Sequence, residues 1–219
     1  MSKTALIIGN GEPPSPELLE EFADADFLLC ADGGADTAHR HGYTPDYIVG
    51  DLDSVSPQCK DRIDADRLIL IDAEGHISTD IQKVLDHAVA LGITTAVLLG
   101  FTGGRTDHLL WNLSMLKAFA DRLFLRLVDD HCDIRLIDQQ IRFRANIGQQ
   151  LSLCPLNGAV EGITTSGLKW PLQNERLIPG VRDGISNEVV ANSVEIQVGQ
   201  GDLLLCVQQP AAGSRIAVC

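Results

Sequence analysis

Apolar and polar positions along the chain fall into two rhythms. Over residues 1–130, short apolar runs at 5–8, 27–31, 47–49, 68–71, 96–99 and 124–128 are bounded by turn residues and separated by stretches of helical period. Consecutive apolar positions over so few residues predict strands covered on both faces, as in a parallel sheet. Ser15-Pro16-Glu17 predicts a helix start, with a serine to cap, a proline at the first helical position and an early acid. Ile81, Val84, Leu85, Ala88 and Val89 form one apolar stripe, which predicts a helix from about Ser78-Thr79 to Gly92. Another is predicted over about 108–120, with Leu109, Leu110, Leu113, Leu116 and Phe119 as core positions and Trp111 also in the core. Strand–helix alternation of this kind predicts an open α/β sheet.

From about residue 131 the rhythm changes. Short, partly alternating runs at 133–137, 150–153, 160–164, 188–190, 194–198 and 203–207 are separated by turn signals such as Asn157-Gly158, Pro179-Gly180 and Gly199-Gln200-Gly201. No long helical pattern interrupts them. The expectation is therefore an α/β domain with a mostly parallel sheet over 1–130 and an all-β sandwich over 131–219.

Composition narrows the function classes. The 219 residues are 45% apolar and 21% charged, an ordinary globular balance. A formal charge of −13, with Lys and Arg scattered singly, argues against nucleic acid and anionic membranes as partners. No run approaches membrane-spanning length, and the apolar stretch near the start is too short for a signal-peptide core. Cys30, Cys59, Cys132, Cys154, Cys206 and Cys219 lie far apart without a C-x-x-C pair, and several sit in apolar strand-like runs. They read as reduced core thiols of a cytoplasmic protein. The histidines His39, His41, His87 and His131 have no metal-ligand spacing and read as surface or satisfied polar residues.

The informative polar residues are distinguished by where they stand. In open α/β sheets, ligands bind beyond the carboxyl ends of the strands. Four predicted strands run into polar motifs there: Asp32-Gly33-Gly34; Gly50-Asp51-Leu52-Asp53-Ser54; Thr79-Asp80 with Lys83 beyond; and Gly103-Gly104-Arg105-Thr106-Asp107-His108. A parallel sheet would gather Asp32, Asp51, Asp53, Asp80 and Asp107 on one edge. Crowded carboxylates resist simultaneous ionisation, a penalty that a hard cation such as magnesium removes. Asp51 and Asp53 would face the same way along an extended strand. Gly33-Gly34 and Gly103-Gly104 allow backbone close to a ligand, with amides free for phosphate oxygens. Arg105 can grip phosphate bidentately, and Lys83 can add a point charge or stand as a helix-surface lysine. Both a Walker pattern and a G-x-G-x-x-G fingerprint are absent. Together these residues suit phosphoryl or pyrophosphoryl transfer from a magnesium–nucleotide complex.

These four motifs in this order, with Gly167-Leu168-Lys169-Trp170 and Ser186-Asn187-Glu188 in the second half, resemble the thiamine pyrophosphokinase family. The resemblance covers nearly the whole chain and implies a homodimer. It also implies that ATP and thiamine react to give thiamine diphosphate and AMP, the thiamine hydroxyl attacking the β-phosphorus. Carried over by motif, Asp51, Asp53 and Asp80 would hold Mg2+, with Asp32 close by. Lys83 and Arg105 would contact phosphates, and Asp107 would order the site. Gly33, Gly34, Gly103 and Gly104 would approach the substrates. Trp170 would stack on the cationic thiazolium of thiamine, in keeping with the attraction of aromatic faces for cations. Ser186 and Asn187 would offer hydrogen bonds to its aminopyrimidine. One departure lies at Glu74-Gly75-His76-Ile77-Ser78, where His76 and Ile77 stand in place of a lysine and an acid.

Two other readings remain open from the residues themselves. Asp51-Leu52-Asp53-Ser54-Val55 fits the D-x-D-x-[TV] pattern of aspartate-nucleophile phosphatases, although that motif ordinarily follows the first strand and here follows the third. A non-catalytic nucleotide- or thiamine-sensing module is the other, and it leaves so many mutually repelling acids unexplained.

Overall fold

The protein is described from a computed structural model, which covers residues 2–71 and 79–209. It divides into two compact units, Met1–Asp130 and His131–Cys219.

The first unit begins with β1 (Thr4–Ile8), α1 (Pro16–Glu21), β2 (Phe27–Ala31), α2 (Gly34–Arg40), β3 (Tyr47–Gly50), α3 (Pro57–Lys60) and β4 (Leu68–Leu70). It continues with α4 (Asp80–Ala90), β5 (Thr95–Leu99), α5 (Thr106–Ala118) and β6 (Phe124–Val128). Its strands run in the order β6-β5-β1-β2-β3-β4, and every neighbouring pair is parallel. All carboxyl ends therefore meet one edge. The strands are apolar on consecutive positions because both faces are covered: Ala5, Leu6, Ile7 and Ile8 of β1 are all buried.

Two helix starts share one device. Ser15 caps α1 by accepting from Leu18 N at 3.3 Å, and Pro16 follows it. Ser56 caps α3 by accepting from Cys59 N at 3.4 Å, with Pro57 following. Each serine is itself held through backbone N–H and hydroxyl by one carboxylate, Asp130 for Ser15 and Asp36 for Ser56. The first cap is at the expected place. The second helix was not expected, since a single turn leaves no period to read.

The stripe helix is α4, with Ile81, Val84, Leu85 and Ala88 buried. Helix α5 departs from expectation. Met115, Leu116 and Phe119 are buried, but Leu110 is 65% and Trp111 45% exposed. This helix carries apolar residues around much of its circumference, so composition alone did not mark its inner face. No helix among the described residues is long and apolar enough to cross a membrane.

The second unit contains β7 (Cys132–Ile137), β8 (Gln140–Arg144), β9 (Gln150–Pro155), β10 (Val160–Ser166), β11 (Glu175–Leu177), β12 (Gly184–Glu188), β13 (Ser193–Gln197) and β14 (Leu203–Gln208). They form two antiparallel sheets, β12-β9-β14-β7 and β11-β10-β13-β8. Leu151, Leu153, Leu203, Leu205 and Val207 of one sheet share a core with Phe143, Val160, Ile163, Leu177, Val194 and Ile196 of the other. That is a β-sandwich. Strands β8 and β11 add to the expected set, and β12 ends where a strand over 188–190 was expected to begin.

Candidate functional site

The carboxyl edge of the parallel sheet opens into a cleft of about 600 Å³, a volume that suits a nucleotide-sized ligand. Its lining includes Ala31 at the end of β2 and Asp32 beyond it, Ser54 beyond β3, Thr79 and Asp80 at the start of α4, and Gly103, Gly104 and Arg105 beyond β5. The four strand-end motifs thus contribute to one site.

Carboxylate oxygens of Asp32, Asp51 and Asp53 all lie within 4.8 Å of one another. Strand alternation is not what aligns Asp51 with Asp53. Strand β3 stops at Gly50, and Leu52 takes a left-handed backbone with φ 63°. The Asp53 amide donates back to Asp51 Oδ1 at 3.3 Å, so a tight turn brings the two acids together. Asp32 is left-handed as well, with φ 44°, on a loop where bulky residues are uncommon. Its side chain is 4% exposed, and its Oδ1 is buried without a hydrogen-bond partner.

Burial pushes the Asp32 carboxyl above its ordinary value; Asp80, Asp51 and Asp53 add to the rise, and the Ser54 hydroxyl opposes it. Three converging carboxylates, one with an unsatisfied buried oxygen, could hold a hard divalent cation. Without a cation, ionised Asp32 destabilises the fold. A raised folded-state pKa means that stability is lost as pH rises from the ordinary carboxylate range through the raised value. Asp32→Asn is therefore expected to raise the melting temperature of metal-free protein at pH 7. Calorimetry should show the gain vanishing below the ordinary carboxylate range and show no stabilisation of the variant by magnesium.

Asp80 opens α4 at the cleft, and its charge acts on Asp32 together with those of Asp51 and Asp53. Its Oδ1 accepts from Lys83 Nζ at 3.1 Å, and the same ammonium lies 3.8 Å from Asp51 Oδ2. Lys83 is no surface lysine: it is 4% exposed, because α4 packs on β2 and β3 and turns this side chain toward the acids.

Arg105 is clasped by Asp107, with Nε 3.1 Å from Oδ1 and Nη2 2.6 Å from Oδ2. The guanidinium hydrogen bond pulls the Asp107 carboxyl down to about 2. Both side chains are exposed, and the guanidinium keeps further N–H groups for an incoming anion. The two glycine pairs have different reasons. Gly103 and Gly104 have φ 73° and 60°, a backbone that favours glycine. A Cβ on Gly34 would come within 2.1 Å of the Ile8 carbonyl oxygen, so Gly33-Gly34 serves close packing of α2 against β1 as well as the cleft.

Several lining residues escaped the sequence reading. Asn10, Gly11 and Glu12 follow β1, held to the loop after β5 by Gly11 N–Gly100 O at 2.6 Å and Glu12 N–Thr102 O at 2.8 Å. They occupy the same strand-end position as the other motifs, and that rule could have found them. Asn112, buried on α5, donates Nδ2 to the Phe101 carbonyl at 2.8 Å. Its place four residues beyond His108 on a helix was the available signal. His87 differs from expectation: its buried Nε2 has no hydrogen-bond partner, its ring meets Tyr47 edge-on at 4.9 Å, and burial lowers its pKa. His76 and Ile77 lie outside the described residues.

In the β-sandwich, Trp170 is 56% exposed and is no core residue. Lys169 Nζ stands 5.0 Å from its ring centroid. Asn187 is buried and spends its amide on the Trp170 backbone, accepting from Trp170 N at 3.2 Å and donating to Trp170 O at 2.8 Å. It therefore holds the backbone of the tryptophan in place. Ser186 is exposed with a left-handed φ of 58°, and its amide donates to Ser152 Oγ at 3.0 Å. None of the five cysteines among the described residues forms a disulfide; Cys30 and Cys59 are buried, while Cys132, Cys154 and Cys206 are half-buried.

Comparison with known proteins finds the same two-part arrangement. Residues 18–125 match the family model described as thiamin pyrophosphokinase, catalytic domain, and residues 138–203 match thiamin pyrophosphokinase, vitamin B1 binding domain. The chain is 29% identical to thiamine pyrophosphokinase 2 of Oryza sativa subsp. japonica, over 92% of this chain and 85% of that protein. It is 27% identical to thiamine pyrophosphokinase of Bacillus subtilis (strain 168), over 94% of this chain and 98% of that protein. A crystal structure of thiamine pyrophosphokinase from Bacillus subtilis superposes with a TM-score of 0.82 at 26% identity, covering 94% of this chain and 99% of that one. Two family models that together span well over half of the chain, over a fold shared with a solved relative, place it: the chain belongs to the thiamin pyrophosphokinase family.

Proposed function

We propose that Asp32, Asp51 and Asp53 hold Mg2+ for ATP in the cleft, and that Lys83, Asp80, Arg105 and the Gly103-Gly104 loop complete the reaction centre. The chain is a thiamine diphosphokinase: the pyrophosphoryl group of ATP passes to the hydroxyl of thiamine, giving thiamine diphosphate and AMP. The observation that carries the assignment of the centre is the convergence of three carboxylates around the unsatisfied Asp32 Oδ1. Bound there, magnesium supplies charge neutralisation for the polyphosphate.

Each residue has a physical task in this scheme. The thiamine hydroxyl oxygen forms a bond to the β-phosphorus, the bond from that phosphorus to the α,β-bridging oxygen breaks, and AMP leaves with the electron pair. The hydroxyl proton passes to a nearby carboxylate. Negative charge grows on the leaving oxygen, and fixed cations stabilise it most when already in place. Lys83 is held by Asp80 and Asp51, and Arg105 by Asp107, so neither needs to reorganise. The amides opening α5 follow Gly103-Gly104 and favour an anion at that end.

Trp170 is the residue for thiamine. Its ring attracts an ammonium already, Asn187 fixes its backbone, and its exposure leaves room for a cationic thiazolium. Ser186 hydrogen-bonds the aminopyrimidine in this reading. Trp170→Ala is expected to raise KM for thiamine roughly 3- to 30-fold while leaving KM for ATP near its original value, the span of one cation–aromatic contact. Steady-state kinetics with each substrate varied in turn reads it; equal effects on both would remove the assignment. The homodimer and the cytoplasmic setting belong to the same proposal, and sedimentation of the purified chain tests the first.

The phosphatase reading requires Asp51 to act as a nucleophile. Its carboxylate instead accepts from the Asp53 amide and faces Lys83 within the acidic group, which favours the metal-holding role.

A further inference from the structure

Helix α5 reaches across to the start of α4 through one hydrogen bond. The indole Nε1 of Trp111 donates to Thr79 Oγ1 at 2.9 Å. Thr79 stands at the N-cap of α4, immediately before Asp80, yet its hydroxyl makes no capping bond to its own helix. A threonine at this position ordinarily accepts from an amide one turn in. Here it accepts from a neighbouring helix.

Burial does not account for Trp111. The side chain is 45% exposed, on a helix whose inner face is already filled by Met115 and Leu116. Its polar edge is what is engaged. On the same helix Asn112 ties down the Phe101 carbonyl, beside the loop that carries Gly103 and Gly104. Residues 111 and 112 therefore hold the two walls of the cleft, one at Thr79 and the other at Phe101, and both held residues line it. Asp80 in turn holds the buried Lys83 ammonium at 3.1 Å, so the placement of Thr79 is passed to the cation facing Asp51.

We propose that Trp111 is a positioning residue for the transfer reaction: its indole N–H fixes Thr79 and, through the first turn of α4, the Asp80–Lys83 pair at the cleft. The proposal rests on the reading of that pair as part of the reaction centre. It also separates the two tryptophans, Trp170 serving thiamine and Trp111 serving the geometry of the acids.

The test compares Trp111→Phe, which keeps an aromatic ring but removes the donor, with Thr79→Val, which removes the acceptor, and with the double variant. Each single change is expected to lower kcat about 3- to 10-fold, the effect of one neutral hydrogen bond, and to lower the magnesium concentration for half-maximal rate, because the Lys83 ammonium is held less firmly against Asp80 and Asp51. KM for thiamine should stay unchanged. The double variant should be no worse than either single one, because the same bond is lost, and Thr79→Ser should recover most of the rate. Wild-type kcat and magnesium dependence in Trp111→Phe would overturn the proposal, as would fully additive losses in the double variant. Asp80→Asn separates the two levels. If it is inactive while Trp111→Phe and Thr79→Val behave as wild type, the clasp alone is wrong. If Asp80→Asn keeps the wild-type rate, the assignment of Asp80 to the centre is wrong.

Discussion

Replacing Asp53 with asparagine is expected to lower kcat roughly 100- to 1,000-fold, the size of effect seen when one preorganised electrostatic contact is removed from a reaction centre. The substitution preserves shape, and its amide oxygen can still accept from the Ser54 hydroxyl, which meets Asp53 Oδ1 at 2.9 Å. What it removes is one of the three charges that converge with Asp32 and Asp51. The magnesium concentration for half-maximal rate should therefore rise. The fold should not suffer, since Asp53 is one of the charges that disfavour ionised Asp32, and easing that repulsion favours the metal-free state. Rates measured across a magnesium series, with a melting curve on the same preparation, check both halves. A variant with near-wild-type rate at low magnesium would remove Asp53 from the site.

Lys83→Met should give an effect of similar size in kcat with the opposite dependence on magnesium. The methionine fills the aliphatic volume of the lysine stem but leaves Asp80 and Asp51 without the ammonium that stands 3.1 and 3.8 Å from them. The acids then hold a divalent cation more tightly, so the half-saturating magnesium concentration falls while the rate falls with it, roughly 100-fold or more. Stability should drop by about 1–3 kcal/mol, less than for a fully buried pair because both acids are partly open to water. Lys83→Arg should not rescue the rate, since a planar guanidinium does not fit a space shaped for a point charge. Opposite shifts in magnesium requirement for the two variants would distinguish a residue that holds the metal from one that neutralises its ligands. Shifts in the same direction would contradict that division of labour.

How much of this was legible beforehand depended on whether the signal was local. The six parallel strands could be read because each is a short apolar run with turn residues at its end, and their shared direction made the strand-end rule point to one edge. That reasoning found Asp32, Asp51, Asp53, Asp80 and Arg105. It missed Asn10, Gly11 and Glu12, although they stand in the same position beyond β1. Helix α2 was hidden because it opens on Gly33-Gly34, residues that disfavour a helix and are required here by the approach of Ile8. Strand β11 was hidden because its three residues, with Arg176 between Glu175 and Leu177, are too few to show a period, whereas β8 was missed although Ile141 and Phe143 alternate with Gln140, Arg142 and Arg144.

Other features were set by tertiary context and had no local signal. The burial of Lys83 depends on how α4 packs on β2 and β3. The carboxylates of the Asp-Leu-Asp motif come together by a left-handed turn at Leu52 and not by the extended alternation expected from their spacing. The hold of Asn187 on Trp170 gave no local signal because the two lie seventeen residues apart, across a bridge between Leu168 and Val189. Periodicity could not separate the two tryptophans either. One stands on an apolar helix and the other in a loop, and both prove exposed.

The acidic centre at the sheet edge is proposed to use magnesium to move a pyrophosphoryl group intact. Chromatography of the products formed from ATP, thiamine and magnesium by the purified chain, with and without a chelator, tests it most directly. AMP and thiamine diphosphate are expected in equal amounts, with no orthophosphate, and no products once magnesium is removed. Orthophosphate release without AMP, or undiminished turnover in the presence of the chelator, would contradict it.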